Sequence, residues 1–228
     1  MTNYTLKTTS IPTLSKSKPQ QIIVLCHGYG GDGKDISTLG IGWQRFLPNA
    51  IFLCPNAPEV CSINPQGFQW FDLSADKEEI LSVDKEKIIL EKSLIAEKIL
   101  NNFLDEALDN FQLTPSNLAI VGFSQGCMIG IQVALKKKKE IGCLIGYSGK
   151  VINKSHLSNN IISKPKTLLM HGQNDTIVPA IHLLEAKEYL TNMGLKVKTK
   201  MFKDCEHRIP VEGSSIGLDF LRKNLLEK

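Results

Sequence analysis

The stretch Leu118-Ala119-Ile120-Val121-Gly122-Phe123-Ser124-Gln125-Gly126-Cys127-Met128-Ile129-Gly130 decides the reading of this chain. Its first residues form a short apolar run rich in branched side chains, the pattern of a fully buried strand. The run stops at Gly122-Phe123-Ser124-Gln125-Gly126, a G-x-S-x-G, and Cys127 to Leu135 then read as a helix. At ordinary usage of Gly and Ser this pattern arises by chance at roughly 3 in 10,000 positions, so the pattern alone proves little. Strand, sharp turn and helix together make it a nucleophile elbow. A side chain at Gly122 or Gly126 would crowd the turn that pushes Ser124 into a strained, exposed position.

Working outward, 228 residues suffice for one α/β domain with a central sheet covered on both faces. The net charge of +4 is too small to argue for a nucleic-acid partner. The one basic run, Lys136 to Lys139, falls where the helix after the elbow should end, and there it complements the helix dipole. The alternative for that run is transient contact with a membrane surface or an anionic partner. No stretch is long and apolar enough for a membrane span, and residues 1–20 lack the apolar core of a signal peptide. Six scattered cysteines form no C-x-x-C and no Cys/His cluster, which argues against a disulfide framework or a metal site. A cytoplasmic protein is expected.

Residues 1–20 read as an edge strand or hairpin, and Gln21 to Cys26 as the first buried strand. That strand ends at His27-Gly28-Tyr29-Gly30-Gly31-Asp32-Gly33. A dinucleotide site would require an acidic residue closing the next strand, where Cys54-Pro55 stands instead. An oxyanion loop, its backbone N–H groups facing the elbow from the neighbouring strand, is the better reading, with a plain tight turn as the alternative. A weak helix (Asp35 to Phe46), interrupted by Gly40 and Gly42, and a strand (Ala50–Cys54) follow. Pro55 to Ala75 reads as a long irregular segment carrying Ile63, Phe68, Trp70, Phe71 and Leu73. It is either a loop packing its own small core or an acyl-binding wall or lid. Beyond it come a long amphipathic helix (Asp84 to Asn110), the elbow strand and helix, strands at 142–147, 166–170 and 195–202, and helices at 180–192 and 214–226. Strands alternating with helices predict a mostly parallel sheet, with helices on both faces.

In such a sheet the chemistry gathers at the carboxyl ends of the strands. Four predicted strands end near Tyr29, Ser124, Asp175 and His207. The order Ser, Asp, His is that of the α/β hydrolases. In that arrangement His207 is the base that activates Ser124, Asp175 orients His207, and the N–H groups of Tyr29 and Gln125 hold the oxyanion. Asp204 competes with Asp175 as the acid but lies only three residues from His207. His27 and His171 each open an H-G turn at a strand end, where a structural hydrogen bond is expected. His156 and His182 read as surface residues, and Cys127 as helix packing rather than a reactive thiol.

These residues resemble the phospholipase/carboxylesterase group of α/β hydrolases, which includes acyl-protein thioesterases, and they look closest to its bacterial branch. The matching pieces are His27-Gly28-Tyr29-Gly30, Pro55-Asn56-Ala57-Pro58-Glu59, Gln69-Trp70-Phe71-Asp72, the elbow, His171-Gly172-Gln173-Asn174-Asp175 through Val178-Pro179, and His207. The resemblance implies a cofactor-free, metal-free and often dimeric hydrolase of carboxylic esters, lysophospholipids or thioesters. Its triad would be Ser124, Asp175 and His207, its oxyanion donors Tyr29 and Gln125, and Trp70 and Ile177 would lie near the acyl pocket. Two positions depart from the pattern. Phe68 replaces an Arg common in the bacterial branch, and Glu206 replaces a common Gly beside His207. A carboxylate there either raises the pKa of His207 or points to solvent. Rival readings are a serine peptidase of the same fold and a binding protein that keeps the fold without turnover.

Overall fold

A computed structural model describes residues 4–73 and 82–226, the side chains of 82–86 excepted. Seven strands form the main sheet: β1 (Thr8–Ile11), β2 (Gln21–Cys26), β3 (Ala50–Pro55), β6 (Leu118–Phe123), β7 (Cys143–Tyr147), β8 (Thr167–Gly172) and β9 (Val197–Phe202). Their order is β1-β3-β2-β6-β7-β8-β9, with only β1 antiparallel to its neighbour. The apolar runs of β2 and β6 follow from burial on both faces. Along β2, Ile22, Val24 and Cys26 face one core layer while Ile23 and Leu25 face the other. Helices α2 (Ser82–Phe111), α3 (Gln125–Lys136) and α5 (Ile181–Asn192) cover the first face. Helices α1 (Gly33–Gln44) and α6 (Val211–Leu225) cover the second. A short helix α4 (Lys154–Ser158) lies between β7 and β8.

Two features differ from the sequence reading. Gly40 does not interrupt α1: a Cβ there would lie 2.7 Å from Ile11 Cδ1, so the glycine lets the helix pack tightly on β1. Within 55–75, the segment expected to be irregular contains a hairpin, β4 (Glu59–Cys61) and β5 (Asn64–Gln69), while Ser74 and Ala75 lie outside the described residues. Asn64-Pro65-Gln66-Gly67 has poor strand propensity and no alternation. What holds β5 is pairing with the glycine loop. Gly30 N–H donates to Phe68 C=O (2.9 Å) and Phe68 N–H to Gly31 C=O (2.8 Å).

From β2 the chain steps outward to β3, which pairs with the edge strand β1, and from β6 it winds the other way to β9. The crevice between β2 and β6 is therefore the topological switch point, where open α/β sheets bind ligands at the carboxyl ends of their strands. The loops carrying Tyr29 and Ser124 meet there.

Candidate active site

At the end of β6 the chain turns directly into α3, and Ser124 takes φ 52° and ψ −116°. Such backbone costs of order 1–3 kcal/mol and persists only where its surroundings enforce it. Ser124 N–H donates to Tyr147 C=O (2.8 Å) on the next strand, and its carbonyl accepts from Cys127 N–H (3.0 Å). The flanking glycines are steric necessities. A Cβ at Gly122 would lie 2.3 Å from Gly126 O, and one at Gly126 would lie 2.1 Å from Cys26 O.

The loop after β2 is held from below by His27. Its Nε2 accepts from Ala57 N–H (2.9 Å), so its Nδ1 carries the proton and donates to Gly28 C=O (2.7 Å). Burial lowers the pKa of His27, in keeping with a neutral structural imidazole. Among the described residues neither Tyr29 N–H nor Gln125 N–H donates a hydrogen bond. Gln125 opens α3, whose first N–H groups have no partner within the helix. Two unspent donors therefore flank the elbow.

The candidate acid and base follow the ends of β8 and β9. His207 Nδ1 donates to Asp175 Oδ2 at 2.7 Å, and Asp175 Oδ1 accepts from Ile177 N–H (3.0 Å) and Val178 N–H (2.8 Å). Burial pushes the Asp175 carboxyl up. The hydrogen bonds from His207, Val178 and Ile177 outweigh that and hold it below the usual carboxylate range. Asp204, the competing acid, is exposed and is not the partner of His207. The loop carrying His207 is fixed by backbone bonds to the acid loop, Asn174 N–H to Cys205 C=O (2.9 Å) and Gln173 N–H to Phe202 C=O (2.8 Å). Glu206 points to solvent. Phe123, the residue before the nucleophile candidate, packs its ring against the imidazole at 4.9 Å between centroids. No hydrogen bond joins the Ser124 hydroxyl to His207 among the described residues. In free enzymes such bonds are often long or poorly aligned and tighten with substrate.

Beside the imidazole runs an open cleft of about 360 Å³ between the Tyr29 loop and the His207–Ile209 segment, with Phe123 also lining it. Neither substrate-binding candidate lines this cleft. Trp70 is 1% exposed in the core, its indole N–H donating to His27 C=O (3.0 Å), so it props the glycine loop. Ile177 is 69% exposed on the acid loop. What the sequence reading missed is the side chain of Gln125. It is fully buried, accepts from Trp70 N–H (2.9 Å) and donates to Phe71 C=O (2.6 Å), clamping the segment after the hairpin onto the elbow. The available signal was a large amide next to the nucleophile, since a buried amide must find partners.

Burial pushes the Cys127 thiol up to about 12, leaving it protonated and unreactive at neutral pH. Lys136 and Lys137 pair with Glu97 and Asp105 of α2, while Lys138 and Lys139 are exposed. Among the described residues no group of three or more His, Cys, Asp or Glu side chains could hold a metal. No helix among them is long and apolar enough to cross a membrane.

A sheet of this winding with an elbow at its switch point defines an α/β hydrolase. Residues 11–225 match the family model described as Phospholipase/Carboxylesterase, and the chain belongs to that family. An acyl-protein thioesterase 1 of Kluyveromyces lactis is 28% identical over 95% of this chain and 97% of its own. Esterase YpfH of Escherichia coli is 24% identical over 91% and 85%. The crystal structure of esterase PE8 superposes with a TM-score of 0.88 at 33% identity, covering 96% of this chain and 99% of that one. The protein is thus a carboxylesterase/thioesterase-like hydrolase.

Proposed function

We propose that this chain cleaves carboxylic esters or thioesters through an acyl intermediate on Ser124. The observation that carries the reading is the 2.7 Å bond from His207 Nδ1 to Asp175, set one residue from a strained serine by the Phe123–His207 stack. With Nδ1 spent on Asp175, Nε2 is the nitrogen left to take the Ser124 proton. The hydroxyl oxygen attacks the substrate carbonyl, and the resulting oxyanion is held by the N–H groups of Tyr29 and Gln125. His207 then returns the proton to the departing alcohol or thiol. Water repeats the cycle on the acyl-enzyme, with His207 again as base. Asp175 stays ionised and stabilises the imidazolium formed at each attack.

The leaving group must depart on the side of the acid that protonates it, so the cleft beside His207 and Ile209 receives it. Acyl esters, lysophospholipids and S-acyl groups on proteins are the substrate classes, the last supported by relatives named acyl-protein thioesterases. Hydrolysis of p-nitrophenyl acyl esters by wild type and Ser124→Ala tests the assignment. Removing the nucleophile should lower kcat by a factor on the order of 10⁶, and undiminished turnover would refute it.

A further inference from the structure

Besides the two histidines, the cleft next to the imidazole is lined by two ionisable side chains of opposite charge, Asp35 and Arg208. Asp35 stands in the first turn of α1, where a carboxylate complements the helix dipole. Its backbone N–H is tied to the N-cap Asp32 at 2.7 Å, so the residue is fixed at that edge. Arg208 follows His207 directly, and its own N–H donates to Glu206 C=O (2.9 Å), which fixes it in a tight turn. Both side chains are exposed. Among the described residues neither forms an ion pair, with the other or with any third side chain. An anion from α1 and a cation from the His207 loop therefore border one cleft, beyond ion-pair distance of each other.

The departing oxygen or sulfur takes its proton from His207, so the rest of the leaving group extends from the imidazole into this cleft. We infer that Arg208 and Asp35 read the charge of the leaving group, and that the preferred substrates are esters or thioesters whose departing alcohol or thiol is zwitterionic. The inference deepens the reading of Ser124, Asp175 and His207 given above and rests on it. A neutral group meets only the apolar lining of Ile36, Phe123 and Ile209. A group with a single charge is attracted by one of the two residues and repelled by the other, and the two effects largely cancel. A zwitterion places its anion at the Arg208 guanidinium, whose fork suits a carboxylate or phosphate, and its cation at Asp35.

Four butyryl esters with one ester bond and nearly one shape test this. They are O-butyrylcarnitine (both charges), its amide (cation alone), the carbon isostere with tert-butyl in place of trimethylammonium (anion alone) and the amide of that isostere (neutral). The readout is kcat/KM for each charged ester divided by that for the neutral ester in the same enzyme, so a general loss of activity in a variant cancels. Wild type should favour the zwitterion about tenfold, as two exposed ion pairs allow, and hold both singly charged esters within about threefold of the neutral one. In Arg208→Gln the cation-alone ester should rise about fivefold above the neutral one, and the anion-alone ester should fall below it. Asp35→Asn should give the mirror image. Raising ionic strength from about 0.02 M to about 1 M should erase most of the wild-type preference, because these charges are open to solvent.

A zwitterion cleaved no better than the neutral ester by wild type overturns the inference. So does an order of the four esters that neither substitution changes, or a preference that survives high salt and therefore comes from shape. Failure of the underlying reading looks different: Ser124→Ala would cleave the neutral ester as fast as wild type does, and the inference would fall with the nucleophile.

Discussion

Ser124 and Gln125 are neighbours with opposite exposures of function. The serine holds a strained backbone and is only 7% exposed, short of the exposed position the pattern predicts, and the glutamine side chain turns inward to satisfy the backbone of Trp70 and Phe71. Truncating Gln125 leaves a buried N–H and a buried C=O without partners. Gln125→Ala should therefore cost about 2–4 kcal/mol and lower Tm by roughly 5–15 °C. Thermal melts check this, and a Tm within about 2 °C of wild type would contradict it. At this scale the sequence was informative wherever steric demand was absolute. The glycines of the elbow could be read from the pattern because no side chain fits within 2.1–2.3 Å of the opposing carbonyls. The inward role of Gln125 was hidden, because nothing in a linear sequence tells which way an amide beside a turn will point.

Among the elements, β5 decides how the glycine loop sits. Its Phe68 exchanges two backbone hydrogen bonds with Gly30 and Gly31, and Asn64 Nδ2 adds a third to Gly30 C=O (2.8 Å). A Cβ at Gly67 would lie 2.0 Å from Gly30 O, so Gly67→Ala must push hairpin and loop apart. Tyr29 lies in that loop, and a misplacement of about 1 Å at a reacting centre costs on the order of 100-fold in rate. Gly67→Ala should lose kcat on that order while its circular dichroism stays native; a variant with wild-type kcat would show that the hairpin does not set the loop. This hairpin was illegible in the sequence for a physical reason. Its strand propensity is poor, and its hydrogen bonds go to a loop nearly 40 residues earlier, as the Gly30–Phe68 pairing shows. The buried strands β2, β6, β7 and β8 were legible because burial on both faces demands unbroken apolar runs, which few other elements show. Phe68, which departs from the bacterial pattern, anchors the loop through its backbone, so the exchange of side chain leaves those two bonds intact.

For the whole molecule, two outward windings from one switch point bring residues 29, 124, 175 and 207 to one rim of the sheet. Their convergence was legible from strand ends alone, whereas the state of the Ser124–His207 contact was not. That contact depends on side-chain torsions a pattern does not encode. The site also contributes to stability. Because the folded pKa of Asp175 is depressed, its stabilising hydrogen bonds are fully present above the ordinary aspartate value of about 4. They are lost as pH falls through the depressed folded value. The stability gap between wild type and Asp175→Asn should accordingly narrow as pH drops through that window, and urea unfolding at successive pH values measures it. A gap independent of pH would mean that the carboxylate is not held ionised by its partners. The central claim, that Ser124 is the activated nucleophile, is tested most directly by a fluorophosphonate probe followed by peptide mass spectrometry. The account predicts one adduct per chain, on Ser124, with ester hydrolysis lost in proportion to labelling. An unlabelled Ser124 in an enzyme that still turns over esters would contradict it.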